Sequence, residues 1–243
     1  SVGWCGWLGE CPGRVVSKYV DLDPSEGLLD FNCDAITYDG HRGTDVEILN
    51  FFVMDGGVPI LAAADGEVVF VRDGEFDRHT EQVSDSFPNM VVIRHSDGSE
   101  AHYQHMRKNS VAVKAGDSAQ AGDTLGFVGS SGFSSGPHLH FEVQRGGVAI
   151  DPFEGPCQEV TTNWLTQTPH VLSLPMELMD HGLTTIPLER AIIWESPPTK
   201  SHVQAGNRIF SWIRSRNVVK DDELTWEFHN NGAFWNSYTL LVE

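Results

Sequence analysis

The residues most able to do chemistry sit in Ser134-Ser135-Gly136-Pro137-His138-Leu139-His140-Phe141-Glu142-Val143. Read as a β-strand opened by the Gly136-Pro137 turn, the stretch alternates. Leu139, Phe141 and Val143 make an apolar face, while His138, His140 and Glu142 take the other. Two imidazoles side by side can address one metal-centred site. Two solvated histidines would produce the same local pattern, so the rest of the chain has to decide.

Three further features join that strand. His41-Arg42-Gly43-Thr44-Asp45 offers a His and an Asp four apart on an extended or turning segment, because Gly43 and the preceding Tyr38-Asp39-Gly40 turn argue against a helix. Ala101-His102-Tyr103-Gln104-His105-Met106 reads as a strand with Tyr103 and His105 on one face and His102 and Gln104 on the other. Glu142 ends the His-x-His strand in a carboxylate. Two His and one Asp with an open fourth position form the donor set of a catalytic zinc site, which lowers the pKa of water to about 7 and polarises a carbonyl. Uncoordinated imidazoles beside it would serve as general base and oxyanion stabiliser. No His-Glu-x-x-His helix motif occurs.

The elements that must position these residues read as all-β. From about 31 to 156, short apolar runs alternate with Gly and Asp turns: Val58–Ala63, Gly66–Val71, Met90–Arg94, Glu100–His105, Thr124–Val128 and Leu139–Gln144. So many glycines between strands predict a curved antiparallel sheet or partial barrel. Arg72–Pro88 is a polar insertion, with His79 a solvated residue rather than a ligand. His95 and His102 read as structural or surface residues. Four regions are expected: a stapled N-terminal segment (1–30), a β domain that holds the His and Asp residues above (31–160), a linker (161–169) and a smaller β-sandwich-like domain (170–243). In the last, His170–Leu174, Ala191–Glu195, Arg208–Ile213, Leu224–Phe228 and Ala233–Val242 are strand-like. Trp194, Trp212, Trp226 and Trp235 are read as its core rather than as a stacking surface, since large aromatics dominate small cores.

Composition narrows the partners. Thirty-four acidic against 16 basic residues give a net charge of −18, which argues against nucleic acid, anionic membranes and teichoic-acid-rich surfaces. No apolar run approaches the roughly 20 residues of a membrane span. The chain starts at Ser1 without an initiator Met, and a mature form with its leader removed is the expectation. Four cysteines in no zinc-ribbon spacing suggest two bridges, Cys5–Cys11 and Cys33–Cys157, in an oxidising compartment, although sequence permits three pairings.

In order, His41-x-x-x-Asp45, Tyr103-x-His105 and Ser135-Gly136-Pro137-His138-Leu139-His140-Phe141-Glu142 resemble the lysostaphin/LytM-type zinc endopeptidases. The likeness extends through Gly57–Ala63, Asp65–Val68, Asn89–His95, Gly126–Gly129 and Val148–Pro152, roughly residues 35–155, interrupted by the insertion at 72–88. It implies one Zn2+ per chain held by His41, Asp45 and His140. His138 would be general base and His105 would orient or stabilise the oxyanion, with the proton acceptor left open between them. It implies a secreted or periplasmic monomer that hydrolyses peptide cross-links of peptidoglycan; the acidic charge favours a Gram-negative-type envelope or a secreted lytic factor. Gly-rich proteins are the alternative substrate. A non-catalytic activator of other wall hydrolases is the alternative role, disfavoured because all three ligands and both helper histidines are present.

Overall fold

A computed structural model describes residues 14–158, 164, 167, 177–197, 199–200, 202–204, 206–216, 218, 221–230 and 232–242. The first part of the chain supplies β1 (Arg14–Lys18), β2 (Thr44–Ile48), α1 (Phe51–Asp55), β3 (Pro59–Leu61), β4 (Gly66–Arg72), β5 (Met90–Arg94) and β6 (Ser99–Gln104). Then follow β7 (Ser118–Ala119), β8 (Thr124–Phe127), β9 (His138–Arg145) and β10 (Val148–Ile150). Beyond them lie β11 (Glu177–Thr184), α2 (Arg190–Glu195), β12 (Phe210–Arg216), β13 (Glu223–Asn230) and β14 (Ala233–Leu241).

The expected antiparallel sheet is present, in the order β1-β2-β9-β6-β5-β4-β7 with β10 added on β9. Its register is set by period-two alternation, which sends one set of side chains inward. Val46 and Ile48 of β2, Leu139 and Phe141 of β9, Ala101 and Tyr103 of β6, and Val91 and Ile93 of β5 share one buried core. Phe51 and Met54 of α1, Ile60 of β3 and Leu125 of β8 belong to the same core. Cross-strand partners lie on the same face, so Asp45↔His140, Glu47↔His138, Gln104↔His140 and His102↔Glu142 collect on the other side. The sheet thus carries its chemistry on the face turned away from the main core.

A second, smaller aromatic cluster joins the N-terminal excursion to the end of the domain. Tyr19 packs edge-on against Phe31 and Phe153, and Phe31 stacks on Phe153 at 5.1 Å. The Cys33–Cys157 disulfide closes the same junction across 124 residues, and the Cys157 amide donates to Phe31 O. A cross-link over so long a loop is worth about 4–5 kcal/mol in the chain-entropy picture. The expected Cys5–Cys11 bridge lies outside the described residues.

Three sequence expectations change. β1 falls inside the predicted N-terminal segment yet pairs antiparallel with β2, so residues 14–18 form the edge of the main sheet. Ala191–Glu195, expected as a strand for its β-branched and aromatic run, is the helix α2, whose Trp194 packs against the main core. Tertiary contact there overrides a weak local preference. The tryptophans do not share one environment either: Trp212 is buried, Trp194 half-buried, and Trp235 is 71% exposed. Among the described residues the second β region forms two separate two-stranded antiparallel sheets, β11–β12 and β13–β14.

Asp151, just past β10, is buried, with Oδ1 accepting from the Phe153 amide at 2.9 Å. Burial first, then the neighbouring Asp30 carboxylate, pushes its pKa up to about 7. The folded protein therefore holds this proton more tightly than the unfolded chain does. The resulting stability is complete below about pH 4 and lost as pH rises through about 7. We predict that Asp151→Asn melts about 5 °C above the native chain at pH 8 and level with it at pH 4. A melting difference independent of pH would contradict this.

Candidate metal centre

The centre is built by one strand pair. Asp45 on β2 and His140 on β9 are direct cross-strand partners, and His140 Nδ1 lies 2.9 Å from Asp45 Oδ1. His41 arrives from the turn before β2, with Nε2 3.2 Å from both Asp45 Oδ1 and His140 Nδ1. All three residues are buried, and among the described residues they form the one His/Cys/Asp/Glu group whose donor atoms converge closely enough for a metal ion. Donors bound at about 2.0–2.1 Å in a tetrahedron stand about 3.3 Å apart, so this spacing fits a single small divalent ion.

Both candidate donor histidines are aimed by a second contact. His41 donates from Nδ1 to Tyr19 O at 2.6 Å, which leaves Nε2 bare for the metal, and Tyr38 stacks on its ring at 4.3 Å. That carbonyl belongs to the disulfide-braced aromatic cluster. His140 turns Nδ1 to the centre and Nε2 toward Glu142 Oε2, 3.6 Å away. Glu142 is held by Arg42 Nε at 2.8 Å and Gln144 Nε2 at 2.8 Å. A carboxylate behind a ligating histidine fixes its tautomer and raises its basicity.

The charges follow from this packing. Burial raises the Asp45 pKa, but His138, His140 and His41 overcome it and hold the carboxyl well below its ordinary value. Burial lowers that of His140, yet Asp45 and Glu142 prevail and lift it to about 9. Burial opposes ionisation of Glu142 too, but His140, Arg42 and Gln144 bring it down to about 2. Asp45 and Glu142 are thus ionised beside the imidazoles, and a bound metal ion would take the place of the His140 proton.

The two remaining histidines flank the open side. His138 donates from Nδ1 to Gly136 O at 2.8 Å, and its Nε2 lies 3.8 Å from Asp45 Oδ1. His105 donates from Nδ1 to Ser131 O at 2.7 Å, with its ring 4.5 Å from that of His138 and 5.8 Å from that of His140. These bonds assign both rings the tautomer with an unprotonated Nε2. Burial, then the neighbouring His138 and His140, holds the His105 pKa well below the ordinary imidazole value.

The structure therefore brings together all five residues singled out from sequence. One placement differs. His105 does not share a face with Tyr103, because it lies one residue past β6 with φ of +60°. Tyr103 stays in the core and its hydroxyl accepts from the Ala63 amide, while His105 swings to the metal side. A non-glycine residue in this region costs free energy and needs outside support. Asn89 supplies it: its Nδ2 donates to Met106 O, its carbonyl accepts from the Met106 amide, and its amide donates to Ser131 Oγ.

Arg42, Tyr19, Asn89 and Ser131 were not picked out as contributors to the site by sequence reasoning; Asn89, an amide side chain opening an apolar strand, was the one visible signal. His95 and His102 are no part of the cluster, as expected. His95 bonds Asp65 O from an exposed turn, and His102 sits opposite Glu142 with burial lowering its pKa.

Residues 39–152 match the model of peptidase family M23. The chain carries an M23 peptidase domain of the lysostaphin/LytM type. All five clustered residues fall inside the matched segment. The DD-carboxypeptidase/endopeptidase Mpg of Neisseria meningitidis serogroup B is 34% identical over 113 residues, which are 46% of this chain and 22% of that protein. The peptidoglycan DD-endopeptidase ShyC of Vibrio cholerae is 35% identical over 112 residues, with the same coverage of 46% and 22%. The chain thus spans about a fifth of the length of these curated relatives. A solved catalytic domain of the prophage-encoded M23 protein EnpA from Enterococcus faecalis is 28% identical over 60% of this chain and 92% of that one, at a TM-score of 0.41.

Gly43 offers a direct check on the cradle. A Cβ there would stand 2.6 Å from Phe141 O and 2.7 Å from His140 Cε1 and Nε2. Gly43→Ala must displace the His140 ring, and Glu142→Gln removes the charge behind it. Each variant is expected to bind Zn2+ about 10–100-fold more weakly in chelator competition. Unchanged affinity in both would show that His140 is not a ligand.

Proposed function

We propose that the chain is a zinc-dependent endopeptidase that hydrolyses peptide cross-links of peptidoglycan. The observation that carries this reading is the pairing of a three-donor metal cradle with two non-ligand imidazoles at its open side. A purely structural metal site closes its fourth position with a protein donor and has no use for the second pair. A zinc ion held by His41, Asp45 and His140 would supply Lewis-acid polarisation of the scissile carbonyl and acidify a water molecule.

The chain's own residues do the rest. His138, with Nε2 unprotonated and aimed at the metal side, takes the proton from the attacking water. His105, kept neutral by burial, accepts that water's second hydrogen bond and so orients it, and the proton collected on His138 Nε2 passes to the departing amine nitrogen as the C–N bond breaks. The carbonyls of Gly136 and Ser131 keep both rings in that tautomer.

The match to peptidase family M23 supports a peptidase, and the names of the relatives, a DD-carboxypeptidase/endopeptidase and a peptidoglycan DD-endopeptidase, support wall peptides as substrate. The Cys33–Cys157 disulfide agrees with work in an oxidising compartment, periplasmic or extracellular. No described helix is long and apolar enough to cross a membrane.

The test is digestion of purified sacculi with mass spectrometry of the released fragments. His138→Ala is expected to retain one zinc per chain while its rate falls by about 10²–10⁴-fold, and chelation is expected to abolish digestion reversibly. Full zinc occupancy without release of any peptide fragment by the native chain would refute the proposal and leave a metal-binding module.

A further inference from the structure

The region after the M23 segment does not stand clear of the catalytic face. Trp194 of α2 lies on Gly136, in the turn that launches β9: a Cβ at Gly136 would come within 2.4 Å of the indole ring. Arg214 of β12 lays its guanidinium over Trp194, 4.1 Å from the ring centroid. Its Nη2 donates to Ile48 O at the end of β2, 3.2 Å away, and stands 3.7 Å from Glu47 Oε2. From the other side, Arg78 of the 72–88 insertion is ion-paired with Glu195 at the end of α2 and bonds Asp55 of α1 at 2.8 Å. The insertion and the C-terminal region therefore meet beside the metal centre.

Between them is a cavity of about 490 Å³. Asp45, His105 and His138 line one side, and Trp194, Arg214 and Lys18 line it as well. The Arg214 side chain is 12% exposed, and among the described residues its hydrogen bonds run through Nη2 alone. A guanidinium has five N–H donors in a planar fork that matches a carboxylate, and donors left unused in a sheltered site are costly. The stacked indole holds that fork in one plane. Glu47 and Asp180 offset part of the charge, and the N–H groups of the fork that neither Ile48 O nor Met179 Sδ takes are left to face the cavity.

We propose that α2 and β12 form a wall of the substrate site, in which Trp194 packs against the peptide and Arg214 reads a free carboxylate on it. The proposal rests on the peptidase reading above and narrows it to substrates that carry an anionic group beside the scissile bond. It also gives the C-terminal region a role in specificity that the M23 segment alone does not contain.

Direct binding tests this apart from turnover. In the zinc-loaded His138→Ala chain, calorimetric titration compares an N-acetylated tripeptide ending in D-Ala-D-Ala, as free acid and as C-terminal amide. The acid is expected to bind about 10–100-fold more tightly, the worth of a charge-assisted bidentate contact. Adding Arg214→Gln should bring that preference close to one with little change in affinity for the amide. Arg214→Lys, which keeps the charge and the stacking stem, should preserve an intermediate preference; it also provides the reading should the Gln variant fail to melt cooperatively. A preference that survives unchanged in the folded Arg214 variants would overturn the proposal, as would a parent chain that binds both forms equally or neither. Sacculus digestion by the native chain judges the peptidase reading separately, so the two can fail independently.

Discussion

The centre depends on one cross-strand register. Asp45 opposite His140 on neighbouring antiparallel strands puts a carboxylate oxygen and an imidazole nitrogen 2.9 Å apart before any metal is considered. A slip of one residue would turn both toward the core and bring Val46 and Leu139 to the site face. What prevents the slip is the apolar half of the same strands, with Val46, Ile48, Leu139 and Phe141 buried together. Hydrophobic packing thus fixes the register, and within it the carboxylate–imidazole attractions outweigh the burial that opposes charge on both Asp45 and His140.

Around that register, each functional ring has a backbone carbonyl or carboxylate behind it. Tyr19 O serves His41, Ser131 O serves His105, Gly136 O serves His138 and Glu142 serves His140. Three of these partners come from segments without regular structure, which need bracing of their own. The Cys33–Cys157 bridge and the Tyr19–Phe31–Phe153 cluster brace the first, and the Asn89–Met106–Ser131 hydrogen bonds brace the second. Backbone strain at His105 is confined to the residue that has to leave the strand to reach the metal side.

Much of this was legible in the residues themselves. Alternation in His138–Val143 and the Gly/Asp turns revealed the sheet, and the ordered His and Asp positions pointed to the side chains that the fold brings together. What stayed hidden has physical causes. Second contacts made by carbonyls carry no side-chain signature, so Tyr19 and Ser131 could not be read. Strand alternation cannot announce a left-handed residue at its end, so His105 was assigned to the wrong face. A six-residue helix such as α2 owes its form to where Trp194 lands, not to local preference, and long-range pairing of β1 with β2 leaves no trace in a short polar-apolar run.

The central question is whether His41, Asp45 and His140 jointly hold one divalent ion with a position left for water. X-ray absorption at the zinc edge of the metal-loaded protein reads this directly. A four-coordinate shell of nitrogen and oxygen at about 2.0–2.1 Å, with two imidazoles that fall to one in His140→Ala, is the expected result. A shell with three or more imidazoles, or one unaltered by that substitution, would contradict it.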